Sequence, residues 1–251
     1  MEKQVVLLVT HILSPWIKAK YERIVNELDS KRYDVVLLVS ANDKRNMRVP
    51  DGVNACVYDI EELGAMPYES IRETLVPGST HFLILKYRQE HPDYAYYWFI
   101  EYDVEFTGKW SSLLDAFAEH TADFLSTHVA RYGKENADWS WWHHSNDVGY
   151  PLENCIKGFN PICRYSGAAL DYIDTYMQKG FSAHSEVMIT TCLYNAGYKI
   201  ADLGGTGEFV PDGLRERFYT EDGTMRYRPL YTKREIEDLA MLDTLFHPLK
   251  F

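Results

Sequence analysis

The sequence has 251 residues, 46% of them hydrophobic and 25% charged, which are proportions of a globular protein with one large core. Its 37 acidic residues outnumber 26 Lys and Arg, so the formal net charge is −11. A surface of this sign repels the phosphate backbone, and no basic stripe with interleaved aromatic residues is present, so nucleic-acid binding is not expected. A nucleotide substrate remains compatible with this charge, because a bound metal ion supplies positive charge locally.

The apolar segments and the cysteines indicate the cellular location. The N-terminal apolar run, residues 5–9, is too short for a signal-peptide core, and no stretch reaches the length of a transmembrane helix. The cysteines have neither CxxC nor metal-ligand spacing, as expected of reduced thiols; they are Cys56, Cys155, Cys163 and Cys192. We therefore expect a cytoplasmic protein without a transmembrane segment.

The N-terminal part of the chain alternates between strand and helix patterns. Ser14-Pro15 has the residue types of an N-cap and a first helical position, and apolar residues recur at helical spacing up to Asp29. Together with the apolar runs on either side, this helix predicts a βαβ unit with parallel strands. The predicted strands are residues 4–9, 33–39, 55–58 and 96–100; residues 59–63 are predicted to turn into a loop, and residues 82–90 to form a helix.

The remainder of the chain continues the alternation with one long interruption. Residues 131–150 are rich in Trp and His and predict a loop, and the last forty residues are polar and irregular. The predicted helices are residues 111–120, 166–178, 186–195 and 233–239, and the predicted strands are residues 123–129 and 198–203. No repeat or linker divides the chain, so we predict one α/β domain over residues 1–251, an αβα sandwich with a mostly parallel central sheet.

The strongest chemical signal is the segment WFIEYDVE, residues 98–105. An apolar strand delivers Glu101 and Asp103 at its carboxyl end, which is where open α/β sheets bind ligands. At positions i and i+2 of extended chain the two carboxylates lie on one face. Mg²⁺ and Mn²⁺ take such oxygen ligands together with substrate phosphates. The alternative is that the strand simply runs into an acidic turn.

This segment resembles the D-x-D region of the GT-A glycosyltransferases, the nucleotide-diphospho-sugar transferase superfamily. In that family the last Asp of the motif holds the metal that bridges the two phosphates, which implies this role for Asp103. The first acid here is Glu101 rather than Asp, which leaves its role open. The order of elements resembles the family over most of the chain, implying a nucleotide-binding half at about residues 1–105 and an acceptor-binding half with a C-terminal tail at about residues 106–251.

The resemblance implies further residues in the tail and in the second half. His247 resembles a late histidine that serves as another metal ligand, and Lys250 is placed to pair with a phosphate. Glu186, at the start of a predicted helix, matches the position of a general base in inverting members, with His184 beside it. Plain alternatives are a surface histidine near a frayed terminus for His247, and an acid favoured by the helix dipole for Glu186.

Topology alone suggests the nucleotide contacts, which are Thr10 and His11 after the first strand, Asn42 after the second and Asp59 after the third. Residues 160–166, NPICRYS, resemble a segment that lines the sugar pocket, with Arg164 reaching phosphate or sugar. The loop DWSWWHH, residues 138–144, offers aromatic faces for an acceptor sugar, although its Trp residues are equally suited to packing.

The sequence therefore predicts a metal-dependent glycosyltransferase that uses Mn²⁺ or Mg²⁺ and moves a sugar from a UDP- or GDP-linked donor to a glycan or other hydroxyl acceptor. Two alternatives remain: a metal-dependent nucleotidyltransferase or phosphohydrolase with the same carboxylates, and a non-catalytic glycan-binding protein on a degenerate transferase scaffold. Donor, acceptor, stereochemistry and oligomeric state are not readable from the sequence. No G-x-S-x-G elbow is present, so serine hydrolase chemistry has little support.

Overall fold

A computed structural model describes residues 2–72, 75–220 and 223–250. A seven-stranded sheet with the order β3-β2-β1-β4-β7-β6-β8 forms its centre, and β5 and β9 form a separate two-stranded sheet. Only β7 of the large sheet runs antiparallel to its neighbours. The strands are β1 (Gln4–Thr10), β2 (Tyr33–Ala41), β3 (Ala55–Asp59), β4 (Tyr96–Glu101), β5 (Glu105–Phe106), β6 (Phe124–Arg131), β7 (Ile156–Ser166), β8 (Ile200–Asp202) and β9 (Leu245–Phe246).

Helices cover both faces of the large sheet. Alternate residues of β1 point to opposite sides: Val5 and Leu7 pack in the core with α3, α5 and α6, whereas Val6 and Leu8 pack with α1 and α4. The helices are α1 (Pro15–Glu27), α2 (Ile60–Gly64), α3 (Phe82–Glu90), α4 (Trp110–Ala116), α5 (Gly167–Gln178), α6 (Ser185–Asn195) and α7 (Lys233–Leu239). The predicted fold class, an αβα sandwich with a mostly parallel sheet, is confirmed. None of the described helices is both long and apolar enough to cross a membrane.

Several segments differ from the predictions; the helix predicted over residues 111–120, for example, is the shorter α4, which ends at Ala116. The antiparallel strand β7 was missed because Gly158, Asn160 and Pro161 interrupt its strand pattern. Residues 59–63, predicted to lead into a loop, form the short helix α2, because Asp59 and Glu62 complete a capping box. The Trp-rich segment predicted as a loop contains 3₁₀ turns over Lys134–Asn136 and Ser140–Val148.

The topology places the candidate functional residues at one edge of the sheet. The parallel strands β1 and β4 end side by side, with Val9 in register with Glu101. Directly beyond this edge, the amide of Tyr102 donates to the Val9 carbonyl at 2.9 Å. The acidic segment is therefore fixed at the carboxyl edge of the sheet, where α/β proteins bind ligands.

Candidate functional site

Two carboxylates and one imidazole meet beyond the end of β4. The Nε2 atom of His247 lies 3.7 Å from Asp103 Oδ1 and 3.9 Å from Glu101 Oε2. Ligand atoms of the three side chains all lie within 4.8 Å of one another. The structure thus brings together the three residues that the sequence predicted as metal ligands, although they come from opposite halves of the chain.

The C-terminal segment is anchored so that His247 faces the acids. Strand β9 pairs with β5, and the amide of Leu249 donates to the Asp103 carbonyl at 2.8 Å. The His247 ring bonds through Nδ1 to the Arg226 carbonyl at 2.8 Å, an arrangement in which Nδ1 is the donor and Nε2 carries the lone pair. Burial lowers the pKa of His247, which favours the neutral imidazole that a metal requires.

The donor set fits a divalent metal ion. Asp103 Oδ1 is buried and has no hydrogen-bond partner, an expensive state for a carboxylate oxygen unless a cation satisfies it. Two carboxylates and an imidazole form a mixed oxygen and nitrogen set, which suits Mn²⁺ better than Mg²⁺. The described residues contain one other candidate group of three, Cys56, Glu90 and His91, in which the two latter residues are exposed and burial raises the pKa of the thiol.

A buried lysine holds the turn that carries Asp103. Lys20 of α1 is 4% exposed, and its ammonium donates to the carbonyls of Tyr102, at 3.0 Å, and of Val104. The third acid of the motif, Glu105, pairs with Arg23 and lies 3.8 Å from the Lys20 ammonium. Glu105 is therefore engaged by α1, and Glu101 and Asp103 are the acids that face His247.

Glu186 and His184 lie at the first turn of α6, facing the same cleft as the acids. The His184 side chain is 6% exposed, its Nδ1 lies 3.8 Å from Glu186 Oε2, and its ring stacks on Trp141 with centroids 4.1 Å apart. Burial raises the pKa of Glu186 to about 8 and lowers the pKa of His184 to about 4. Burial, and then the charge of Asp103, raise the pKa of Glu101 to about 8.

These groups line one cleft of about 230 Å³. Its walls come from residues 76–80, the end of β4, Trp141, the middle of β7, the start of α6 and two parts of the tail, residues 227–230 and 247–248. Besides the acids, His184, Glu186 and His247, the cleft is lined by Val76, Pro77, Gly78, Thr80, Trp141, Phe159, Asn160, Pro161, Ser185, Tyr227, Arg228, Leu230 and Pro248.

Arg164, predicted to reach phosphate or sugar, does not do so. Its guanidinium is fully buried and donates to the carbonyls of Phe117, His120 and Ala122 at 2.6 to 3.0 Å. Asn160 and Pro161 of the same predicted segment line the cleft, whereas Arg164 lies further along β7 and bonds to the chain that follows α4.

The other predicted contacts occupy different places. Thr10 is buried and bonds with its hydroxyl to the Ile12 backbone, and the exposed His11 packs edge to face on Tyr102 at 5.2 Å. Asp59 caps α2 and accepts a hydrogen bond from the Lys44 amide, so the structure gives it a local role. Asn42 and Lys250 are exposed, and the described lining of the cleft contains neither of them.

The sequence did not indicate two segments of the cleft wall. Residues 76–80 and 227–230 line it but carry no periodic pattern and no recognisable motif, so only the folded chain reveals them. The three tryptophans of the loop separate into two environments. Trp142 is 5% exposed and donates to the Asn136 carbonyl, whereas Trp139 and Trp141 line a second cavity next to the cleft.

No protein-family model matches the sequence, and none of the curated proteins matches it either. Among solved structures, the chain is similar to the galactosyltransferase LgtC in complex with donor and acceptor sugar analogs, at 8% identity, a TM-score of 0.48, and coverage of 95% of this chain and 78% of LgtC. Mouse xyloside xylosyltransferase 1 is 10% identical, with a TM-score of 0.42 and coverage of 98% and 97%.

A third similar structure is the mannosyltransferase PcManGT from Pyrobaculum calidifontis in complex with GDP-Man and Mn²⁺. It is 12% identical, with a TM-score of 0.44 and coverage of 85% of this chain and 56% of the other. These similarities are distant. The three similar proteins are a galactosyltransferase, a xylosyltransferase and a mannosyltransferase.

Proposed function

We propose that the chain is a metal-dependent glycosyltransferase that transfers a sugar from a nucleoside-diphosphate donor to an acceptor hydroxyl. The observation that carries this proposal is the buried Oδ1 of Asp103, which has no hydrogen-bond partner and lies 3.7 Å from the Nε2 of His247. Such an oxygen is satisfied by a cation, and a cation at this edge of the sheet attracts a diphosphate to a chain whose net charge is −11.

Asp103, Glu101 and His247 would hold Mn²⁺ or Mg²⁺. When bound, the ion supplies Lewis-acid stabilisation of the charge that develops on the leaving diphosphate. The residues of the chain position the other participants. The backbone around Asp103 is fixed by Lys20 and by the tail, and Trp141 and Phe159 line the cleft beside the acids.

Glu186 is the candidate base. Burial raises its pKa to about 8, so its carboxylate, once ionised, is a stronger base towards an acceptor hydroxyl than that of an ordinary glutamate. It lines both the metal cleft and the neighbouring cavity, so it stands between the place proposed for the donor and that available to an acceptor. This role applies if transfer inverts the anomeric centre; retaining transfer needs no dedicated base.

Calorimetric titration of UDP and GDP, with and without Mn²⁺, tests the proposal. We expect nucleotide binding that depends on Mn²⁺ and is lost in Asp103→Asn, a variant of nearly unchanged shape. His247→Ala should lower the affinity for Mn²⁺ by at least about tenfold, since even the loss of an outer-shell partner costs that much. His91→Ala is the matched control from the other candidate group, and it should bind as the wild type does.

Three outcomes contradict parts of this proposal. Absence of nucleotide binding with any metal would refute the transferase and favour the glycan-binding alternative. Loss of metal binding in His91→Ala, with His247→Ala unaffected, would show that the metal binds at Cys56, Glu90 and His91 instead. Hydrolysis of nucleotide sugars at a rate independent of any acceptor would favour a phosphohydrolase.

A further inference from the structure

A second cavity of about 370 Å³ adjoins the metal cleft and has a different chemical character. The two share Trp141, Phe159, Glu186 and Tyr227 as lining residues, so they are neighbouring compartments along one wall. The metal ligands Glu101, Asp103 and His247 line only the first compartment. Trp139, Lys157 and Arg226 line only the second.

The charged groups of this second cavity are mainly cationic. Its described lining contains two basic residues, Lys157 and Arg226, against the one acid Glu186. The chain as a whole carries 37 acidic and 26 basic residues, so this local balance is opposite to that of the surface. A local excess of positive charge inside an acidic protein attracts an anionic ligand.

The cationic groups are set in place by their neighbours. Lys157 belongs to β7, and its ammonium lies over the ring of Trp139, 5.8 Å from the centroid. The guanidinium of Arg226 stacks on Tyr231 at 3.8 Å, and its Nε donates to the Pro229 carbonyl at 2.9 Å. Because these contacts restrict both side chains, less conformational entropy is lost when an anion binds.

The aromatic residues complete a surface suited to a sugar ring. The indoles of Trp139 and Trp141 and the phenol of Tyr227 line the cavity, and Tyr227 is 68% exposed. Broad aromatic surfaces with polar tips bury the apolar face of a ring while its edge stays hydrated. An anionic group on that ring would lie within reach of the cations.

We propose that the second cavity is the acceptor subsite and that the acceptor carries an anionic group, a carboxylate or a phosphate, on a sugar ring. The inference rests on the proposed transferase function, and it adds the class of acceptor. In this arrangement the ring contacts Trp139 and Tyr227, the anionic group pairs with Lys157 and Arg226, and the reacting hydroxyl faces Glu186 at the boundary with the metal cleft.

Ligand-detected NMR titration with two matched sugars tests the subsite. Glucuronate and glucose differ at one position, a carboxylate in place of a hydroxymethyl group, and both are titrated into protein already saturated with UDP and Mn²⁺. We expect glucuronate to bind about tenfold more tightly, because a hydrogen bond to a charged group is stronger than its neutral counterpart. Glucose 6-phosphate should share the preference.

Variants then assign the preference to the cavity. Lys157→Gln and Arg226→Gln should each reduce glucuronate affinity towards that of glucose, while glucose binding and UDP binding remain as in the wild type. The latter two measurements also verify that the variants are folded. Lys179→Gln is the control, because Lys179 is exposed at the end of α5 and should have no effect.

Two results overturn the inference while nucleotide binding persists. The first is equal binding of glucuronate and glucose, including no binding of either. The second is tighter binding of glucuronate to the protein without UDP than to the protein saturated with UDP, which would place the carboxylate in the diphosphate region. Failure of UDP to bind with Mn²⁺ is a separate outcome that refutes the proposed function itself.

Discussion

Glu186 and His184 are neighbours at the start of α6, and burial shifts their pKa values in opposite directions. The carboxyl has a pKa of about 8 and the imidazole a pKa of about 4, so both groups favour their neutral forms around neutral pH. Opposite shifts of two adjacent titratable groups are typical of sites that use proton transfer. His184 is the N-cap of the helix and stacks on Trp141, so its structural role is to fix the turn that carries Glu186.

Replacing Glu186 by Gln tests its role as a base. We expect the transfer rate to fall by a factor of about 10² to 10⁴, the usual contribution of a general base, while Mn²⁺-dependent UDP binding is retained. The measurement is release of nucleoside diphosphate from a panel of nucleotide sugars in the presence of acceptor. Glu61→Gln is a control, since Glu61 also lies in the first turn of a helix but is exposed. Full activity of Glu186→Gln would remove it from the mechanism.

His81 gives a prediction about stability and pH. Its ring is buried against the Met177 sulfur at 3.2 Å, its Nδ1 has no partner, and burial lowers its pKa from 6.5 to about 3. The pKa is lower in the folded state than in the unfolded state. The free energy of unfolding is therefore unaffected by this group above pH 6.5 and falls as the pH falls from 6.5 towards 3. At about pH 5 the unfolded state gains a proton that the folded state does not, at a cost of about 2 kcal/mol.

Urea unfolding of His81→Gln and wild type, compared at pH 7 and pH 5, measures this effect. The variant should lose less stability than the wild type between the two values, by about 2 kcal/mol. Glu101 and Glu186, whose pKa values are raised, have the opposite pH dependence but are present in both proteins. The prediction is wrong if the two proteins lose stability equally on acidification.

Sequence reasoning placed Glu101, Asp103, His184, Glu186 and His247 correctly at one site in space, although their chemical roles stay predictions. Glu101 and Asp103 lie where a strand pattern ends, at the carboxyl edge of the sheet, and His184 and Glu186 lie where a helix pattern begins. His247 lies in the irregular tail, where only the family resemblance indicated it. Arg164 shows the limit of this reasoning. A buried arginine that donates to three carbonyls looks, in sequence, identical to one that reaches a phosphate.

At the scale of elements, α1 and the tail hold the acidic turn from two sides. Lys20 of α1 donates to carbonyls on both sides of Asp103, and Leu249 of the tail donates to the Asp103 carbonyl itself. The position of Asp103 is therefore set by backbone contacts with distant parts of the chain. The motif contributes the carboxylates, and the contacts with α1 and the tail determine where the carboxylates lie.

Replacing Lys20 by Met tests the contribution of α1. Loss of the ammonium leaves two carbonyls unsatisfied and the half-buried Glu105 with Arg23 as its remaining partner, so we expect a loss of about 3 to 5 kcal/mol in the free energy of unfolding. Lys18→Met is the control on the same helix, where Lys18 forms an exposed pair with Glu22 and its loss should cost less than about 1 kcal/mol. Similar costs for the two variants, measured by urea denaturation, would contradict a structural role for the buried ammonium.

The elements that sequence predicted well are those with a strong period and clear caps. Helix α3 has its predicted bounds, and α1, α5 and α6 begin or end within a residue or two of theirs. Strand β7 was missed because its register shifts against β6, between Leu125 and Ala130, accommodate residues that a regular strand excludes. His128, with a φ of 52°, lies within this irregular stretch and also lines the second cavity.

At the scale of the molecule, the fold joins two halves through the site. The half with β1 to β4 supplies the acids, and the second half supplies Glu186, the indoles and His247. A ligand that contacts both halves binds only the folded state, so it stabilises the whole chain.

Thermal unfolding with and without UDP and Mn²⁺ measures how much ligand binding stabilises the folded chain. At a concentration of about one hundred times Kd, binding adds about 2.7 kcal/mol, which corresponds to a rise in Tm of about 5 to 10 °C for a domain of this size. Asp103→Asn should show the Tm of the unliganded wild type, whether or not UDP and Mn²⁺ are added. A shift of equal size in this variant would place the ligand elsewhere on the molecule.

The pairing of His247 with Asp103 has a consequence for biosynthesis. During translation, Asp103 leaves the ribosome long before His247, so a nascent chain that has passed β8 has every strand of the large sheet and both acids but lacks one of the three proposed metal ligands. Fragments that stop before residue 247 should therefore pass through a column of immobilised UDP charged with Mn²⁺, whereas chains with a docked tail are retained. In this protein, binding of the donor would therefore show that the tail has been synthesised and has folded into place.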